Sequence, residues 1–90
     1  MTYAALLGSV MAQARSLKGH KQKHIADQMG MVQSGLSKLE RGHCAINIMQ
    51  LITYCLLIDV DYLLILQRTE NLRQEIEESG IPVPLKRFTV

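Results

Sequence analysis

The side chains best suited to metal binding or nucleophilic catalysis are two cysteines and a histidine, and their spacing favours neither chemistry. Cys44 and Cys55 are separated in the sequence, with His43 beside the first. A zinc site needs about four ligands at recognisable spacing, and no CxxC pair is present. No pair of residues has the spacing of a nucleophile with its base, and there is no glycine-rich phosphate loop. We therefore expect no catalytic residue, metal site or cofactor, and we interpret both cysteines as buried free thiols.

The charged residues are distributed unevenly along the chain. Residues 1–43 contain six basic and two acidic residues, a net charge of +4, whereas residues 44–90 contain four basic and six acidic residues, a net charge of −2. A basic surface attracts nucleic acid through its phosphates, although such a surface can also be merely solvated. The basic half is therefore the candidate for contact with nucleic acid.

The composition favours one all-helical domain. The chain has 90 residues, 48% of them hydrophobic, with no Trp and one Phe, and its many Leu, Ile and Met residues suit helix packing. A domain of this size buries only about 60 to 65% of its unfolded surface, which favours a partner subunit. The longest apolar run, residues 56–66, is interrupted by Asp59 and Asp61, and no basic region precedes the first apolar residues. We expect a soluble cytoplasmic protein without a membrane partner.

Residues 22–39 have the spacing of two short helices that cross at a tight turn, which is a helix-turn-helix. Ala26 leaves room for the second helix to approach, and Gly30 can adopt the left-handed conformation that ends the first. Leu36 and Leu39 cover the underside of this helix-turn-helix. The outer face of the second helix is left free.

Capping residues and helical periodicity predict the other elements. Thr2 caps the first helix and Gly19 ends it, and Asn47 caps the fourth. Asp59 or Asp61 marks the start of the fifth. The predicted helices cover residues 3–17, 22–29, 33–41, 48–57 and 62–79. The side chains predicted to face the core from the first and fourth helices are Leu6, Leu7, Val10, Met11, Ala14, Leu17, Ile48, Leu51, Ile52 and Cys55.

A further apolar repeat runs along the fifth helix. Its members recur at alternating intervals of four and three residues, which keeps them on one face of a helix. This face predicts a dimer interface of Tyr62, Ile65, Thr69, Leu72 and Ile76, with Ile58 preceding it. The alternative is that its first half covers the core of its own domain and the rest is solvated.

Residues 6–64 resemble the phage repressor and Cro-like helix-turn-helix proteins, also called the XRE family. The most specific part is Gln22 to Gly42, which includes L-S-K-L-E-R-G. The resemblance implies a five-helix lambda-repressor-like domain with an extended C-terminal helix. It also implies a homodimer that binds double-stranded DNA with its third helix in the major groove. We expect a DNA-binding domain in residues 1–60, a dimerisation helix in 61–80, and an extended or disordered tail in 81–90.

The resemblance also implies roles for individual residues. Gln33 begins the recognition helix, and Gln22 begins the helix before it. A hydrogen bond between the two side chains leaves Gln33 able to contact adenine N6 and N7. Glu40 is expected to form a structural ion pair with Arg15. The expected base contacts are Gln33, Ser34, Ser37 and Lys38, and the expected phosphate contacts are Lys21, Gln22, Lys23, Arg41 and Asn47.

The sequence departs from the family pattern at three positions. Lys21 and Val32 stand where relatives carry capping Thr or Ser, so each helix start loses about 1 kcal/mol. Gly35 lies inside the recognition helix and costs up to about 1 kcal/mol relative to Ala. This glycine either allows a close approach of the backbone to DNA or has no functional role.

These observations favour a transcriptional repressor that binds a palindromic operator as a homodimer. One alternative is the antitoxin of a toxin-antitoxin pair, whose acidic C-terminal half binds a toxin protein. Another is a protein-interaction module that has lost DNA binding. Lys86 and Arg87 follow two prolines and suggest an arm that contacts the partner subunit or DNA.

Overall fold

The computed structural model describes residues 1–84, which form five α-helices and no β-strand. The helices are α1 (Tyr3–Leu17), α2 (Gln22–Gln28), α3 (Gln33–Glu40), α4 (Ile48–Ile58) and α5 (Tyr62–Glu78). The predicted all-α, five-helix architecture is confirmed, with helix ends within one residue of those expected. Residues 85–90, which include Lys86 and Arg87, lie outside the described part of the chain.

Three of the helices begin at the side-chain caps that the sequence indicates. The side-chain oxygens of Thr2 and Asp61 accept backbone N–H bonds at 3.1 and 2.9 Å. Asn47 forms a reciprocal capping box with Gln50, with donor–acceptor distances of 2.8 and 3.0 Å. Asp59 ends α4 in the left-handed conformation, with φ of 58°. Both aspartates at the α4–α5 turn therefore have local roles, one ending a helix and the other starting the next.

All five helices contribute to one hydrophobic core, and the turn at residues 59–61 brings α5 back onto α1. The segment after α5 also returns to the start of the chain, since Val83 is buried and the carbonyl of Pro84 accepts a 2.7 Å hydrogen bond from the N–H of Tyr3. The largest fully buried side chains are Tyr54, Met11, Ile25, Leu36, Ile58, Ile65, Thr69 and Cys55.

Three residues that were expected inside the protein are exposed. Leu17 is 76% exposed and Ile48 is 56% exposed, because they are the last residue of α1 and the first of α4, where no neighbouring helix covers them. Cys44 lies in the exposed loop after α3, so its prediction as a buried thiol is wrong. Cys55 is buried as predicted, and burial, followed by the charge of Asp61, raises the pKa of its thiol to about 11.

The apolar face of α5 is divided between the core and the surface. Ile58, Ile65 and Thr69 are fully buried within the protomer. The hydroxyl of Thr69 donates a 2.8 Å hydrogen bond to the carbonyl of Ile65. A second subunit has no access to Ile65 or Thr69 in this fold, so these two residues are removed from the expected dimer interface. Among the other residues of that prediction, Leu72 is exposed, and Tyr62 and Ile76 are half-buried.

No single helix among residues 1–84 is long and apolar enough to cross a membrane. The pair α4 and α5 reaches the required length and composition only as a broken span, with a bend of 110° between the two helices. Leu51, Tyr54 and Ile65 of this pair lie in the protein core.

The crossing of α1 with the end of α3 depends on two glycines. A Cβ atom built on Gly8 would lie 2.6 Å from the carbonyl oxygen of Leu39 and still closer to that of Glu40. A Cβ on Gly42 would lie 2.5 Å from the backbone nitrogen of Ala5, and Gly42 also has φ of 74°. Because the obstructing atoms belong to the backbone, a larger residue at either position forces the helices apart.

We expect Gly8→Ala to destabilise the fold by about 1 to 3 kcal/mol or more, since the added methyl group overpacks the crossing. Gly35→Ala is the matched control. The nearest atoms to a Cβ at Gly35 are 3.5 and 3.6 Å away, at ordinary contact distance. This control is expected to stabilise α3 by up to about 1 kcal/mol. Urea denaturation measures both effects, and equal stability of the two variants would contradict the close crossing.

Candidate nucleic-acid interface

The centre of the candidate site is the pair α2 and α3. Gly30 joins the helices with φ of 70°, and the N–H of Met31 donates a 2.9 Å hydrogen bond to the carbonyl of Ala26. Ala26 and Leu36 are fully buried where the two helices meet. The helix-turn-helix predicted from the spacing is therefore present in the structure.

The outer face of α3 carries the residues that were expected to contact bases. Gln33, Ser34 and Lys38 are exposed, and Ser37 is half-buried. Leu36 and the neighbouring Leu39 are buried on the opposite face of this helix. The structure thus places all four expected base-contact residues on one short helix whose polar side is uncovered.

Gln33 is held at the start of this face by the residue that begins α2. The Nε2 group of Gln33 donates a hydrogen bond of 3.3 Å to Oε1 of Gln22. This is the hydrogen bond between the two side chains that the family resemblance implies.

Behind this pair lies a carboxylate that accepts hydrogen bonds from three helices. The side chain of Glu40 is 4% exposed. Its Oε2 accepts from Arg15 Nε at 2.8 Å and from the Tyr54 hydroxyl at 2.6 Å. Its Oε1 accepts from Arg15 Nη2 at 3.1 Å and from Gln22 Nε2 at 2.8 Å. The expected Arg15–Glu40 ion pair is confirmed, and Arg15 Nη1 also donates to the carbonyl of His20 at 2.8 Å, just before α2.

Tyr54 is the member of this site that sequence reasoning missed. It lies in the apolar run of α4, but it was not among the residues of this helix that were expected to face the core. Its hydroxyl is also 3.0 Å from the carbonyl oxygen of Met11. A tyrosine in an otherwise apolar helix needs a polar partner when buried, and this requirement was the available signal.

The charge states of Glu40 and Tyr54 are determined by burial and by the hydrogen bonds between these buried side chains and their partners. Burial disfavours the ionised carboxylate of Glu40, but hydrogen bonds from Arg15, Tyr54 and Gln22 outweigh it and hold the pKa of Glu40 below its ordinary value. Burial, followed by the hydrogen bond to Glu40, raises the pKa of Tyr54 far above its ordinary value. The carboxylate therefore accepts, and the tyrosine stays protonated and donates.

The expected phosphate contacts differ in how accessible their charge is. Lys21, Lys23 and Arg41 are exposed, but Lys23 forms a 2.9 Å ion pair with Asp27 one helical turn away. Arg41 Nε donates to a backbone carbonyl at 3.3 Å. Asn47 uses its side-chain oxygen to cap α4. Of the two lysines at the start of α2, Lys23 is paired, whereas Lys21 forms no ion pair with any other residue in 1–84.

The starts of both helices of the motif lack side-chain caps, as the sequence predicts. Lys21 precedes α2 and Val32 precedes α3, and neither side chain accepts a backbone hydrogen bond.

His20 and His24 are four residues apart, a spacing that suits metal binding when both residues lie on one helix. Here α2 begins at Gln22, so His20 lies outside the helix that contains His24. Within residues 1–84 no three His, Cys, Asp or Glu side chains form a group that could hold a metal ion.

The arrangement of the five helices, with α2 and α3 crossing at Gly30, defines a helical helix-turn-helix domain. The crystal structure of the clp gene regulator ClgR from C. glutamicum has a similar fold, with a TM-score of 0.75. The match covers 79% of this chain and 92% of that chain, at 21% sequence identity. The searches matched no protein-family model and no curated protein. The similarity to ClgR therefore establishes the fold of this chain.

We expect Glu40→Gln to destabilise the protein by about 3 kcal/mol, because it leaves the guanidinium of Arg15, whose side chain is only 14% exposed, without its counter-charge. This value is at the lower end for a buried pair, since Arg15 keeps its hydrogen bond to the carbonyl of His20. Urea denaturation at neutral pH measures the loss. A loss below about 0.5 kcal/mol would contradict a structural role for the ion pair.

The same variant separates the contribution of Glu40 to the pH dependence of stability from the contributions of the other carboxylates. The folded pKa of Glu40 lies below its ordinary value of 4.5. The unfolded state therefore binds the proton first, and the stabilisation from Glu40 is present above pH 4.5 and lost as the pH falls through the folded pKa. We expect the stability of the native sequence to fall more steeply with acidification below about pH 5 than that of Glu40→Gln.

Proposed function

We propose that this protein is a sequence-specific transcriptional repressor of the phage repressor and Cro-like type, cytoplasmic, binding a palindromic operator as a homodimer. The observation that carries the proposal is the uncovered polar face of α3, with the side chain of Gln33 held at its start by Gln22. A short helix with its apolar side packed and its polar side exposed fits the major groove of B-DNA.

The distribution of side chains supports separate roles on this surface, with some residues contacting bases and others contacting phosphates. Gln33, Ser34, Ser37 and Lys38 lie together on α3, where amide, hydroxyl and ammonium groups reach base edges. Lys21 and Arg41 lie just before α2 and just after α3, where cations reach the phosphates on either side of the groove. The fold shared with the clp gene regulator ClgR supports the same function.

Gln33→Ala and Lys21→Ala are expected to weaken DNA binding in different ways. Loss of a bidentate base contact by Gln33 costs about 1 to 3 kcal/mol on the preferred site and relaxes one base position. Loss of a phosphate contact by Lys21 weakens binding to every sequence and lowers the slope of log K against log salt by about 0.9.

The affinities are measured on duplexes selected from a random library, at several salt concentrations. Lys23→Ala is the control for charge at the same helix, and we expect a smaller effect because Asp27 already pairs with Lys23. Unchanged base preference in Gln33→Ala would contradict the assigned register of α3.

The proposed homodimer requires a surface that the fold leaves uncovered. Leu64 and Leu72 are 45% and 39% exposed, and Arg68 lies between them at four-residue spacing on the same stripe of α5. Together with Leu17 they line two adjoining clefts along α1 and α5, of about 330 and 380 Å³. We place the dimer contact on this stripe, beside the buried Ile65 and Thr69.

Dimerisation has a direct consequence for DNA recognition. Two copies related by a two-fold axis place their recognition helices about 34 Å apart, one turn of DNA, and so read two half-sites on one face. In such a dimer, the second subunit binds its half-site in an intramolecular step. The affinity for the whole operator therefore exceeds the affinity for one half-site.

We expect Leu64→Glu combined with Leu72→Glu to yield a folded monomer whose DNA affinity is reduced by about 10²-fold or more, since the buried charges repel at the interface and avidity is lost. Leu56→Glu is the control, because Leu56 is 75% exposed on α4 and outside this stripe. Sedimentation equilibrium gives the oligomeric state. An intact dimer in the double variant would contradict this location and show that the interface lies on another surface.

A further inference from the structure

We propose that Met29, Met31 and Met49 form a binding site for a soft monovalent metal ion, Cu(I), held by their thioether sulfurs. The three side chains line one cleft of about 210 Å³, between the turn of the helix-turn-helix and the first turn of α4. They are three of the five methionines in the chain. The other residues that line this cleft are Asn47, Gln50 and Thr53.

The turn between α2 and α3 carries two of the sulfurs. Met29 and Met31 flank Gly30, whose φ of 70° reverses the chain between them. The N–H of Met29 donates a 3.0 Å hydrogen bond to the carbonyl of Ile25, the last turn of α2. The N–H of Met31 donates at 2.9 Å to the carbonyl of Ala26. Both methionine side chains are half-buried against the core, so the turn presents them to one cleft from a backbone with little freedom.

The third sulfur comes from a different helix and has more freedom. Met49 lies in the first turn of α4 and is 66% exposed. A methionine side chain is unbranched and has three rotatable bonds, so its sulfur changes position without a change in the backbone. Met29 and Met31 therefore form the fixed part of the site, and Met49 is the ligand that closes over an ion entering from solvent.

The chemistry of the available donors selects the ion. Thioether sulfur is a soft, uncharged ligand, and soft sulfur ligands suit Cu(I), whereas Mg²⁺ and Ca²⁺ take oxygen ligands. The side-chain oxygens of Asn47 and Gln50 are already used in the capping box of α4. The lining residues among 1–84 include no carboxylate, imidazole or thiol, the groups that bind Zn²⁺. Without a ligand that carries negative charge, a monovalent ion is less costly to bind than a divalent one.

The test is a titration with Ag(I), a soft monovalent ion that keeps its oxidation state in air. Binding is followed by NMR on protein with isotopically labelled methionine methyl groups. All proteins carry Cys44→Ser, because the exposed thiol of Cys44 would bind the same ion. Two methionines report from outside the cleft, since Met1 is 69% exposed and Met11 is 1% exposed in the core.

We expect the methyl signals of Met29, Met31 and Met49 to shift together and to saturate at one Ag(I) per protein. The signals of Met1 and Met11 are expected to stay in place. Cu(I), supplied in the absence of oxygen, is expected to shift the same three signals. A signal of Met1 that shifts as much as that of Met49 would overturn the inference, because any exposed thioether would then bind the ion.

Two variants remove one ligand each. Met31→Leu and Met49→Leu keep the apolar character and nearly the volume of the side chain. Loss of an outer-shell partner alone weakens metal affinity by about 10- to 100-fold, so we expect the loss of a ligand to raise the Ag(I) dissociation constant at least about tenfold. Isothermal titration calorimetry measures it, and Met1→Leu is the control with an expected change below about twofold.

A dissociation constant within twofold of the background protein in both ligand variants would overturn the inference and leave these methionines as packing residues. Met49→Leu keeps the test decisive if Met31→Leu folds poorly, because Met49 is exposed. Metal binding is measured without DNA, so neither result bears on the proposed function.

Discussion

The structure depends on the buried carboxylate of Glu40 being fully hydrogen-bonded. An ionised group removed from water is tolerated only when its oxygens have partners. Here the partners come from Arg15 on α1, Gln22 on α2 and Tyr54 on α4, while Glu40 itself ends α3. Four helices must therefore hold one relative position for the charge to be satisfied. The glycines at the crossing of α1 with α3 allow the backbones to come close enough for this.

The sequence predicted the parts of this arrangement that depend on short-range signals. Thr2, Asn47 and Asp61 cap helices where their side chains indicated, and Gly30 ends α2 in the left-handed conformation. The contacts of Glu40 with Arg15 and of Gln22 with Gln33 followed from a family resemblance, which supplies long-range pairings that spacing alone does not. The polar side of α3 was also predicted, because a buried leucine stripe determines which residues face outward.

The remaining features depend on which surfaces meet, and one sequence does not determine this. Ile65 and Thr69 have the same spacing whether they pack within the protomer or on a second copy. Helical periodicity therefore assigned them to a dimer interface, from which their burial within the protomer excludes them. Leu17 and Ile48 belong to apolar stripes but lie at helix ends that no neighbouring helix covers. The close approach at Gly8 could not be predicted, because it requires the position of the end of α3.

The polar network differs from an apolar core in what it contributes. Buried ion pairs replaced by well-packed apolar groups often give proteins of equal or greater stability, so stability alone does not explain why Arg15 and Glu40 lie inside. An apolar residue at position 40 would leave the Nε2 of Gln22 without its acceptor. α2 and α3 also lack side-chain caps, so their starts have few other constraints. The carboxylate therefore contributes position: it holds side chains from α1, α2 and α4 together at the end of α3.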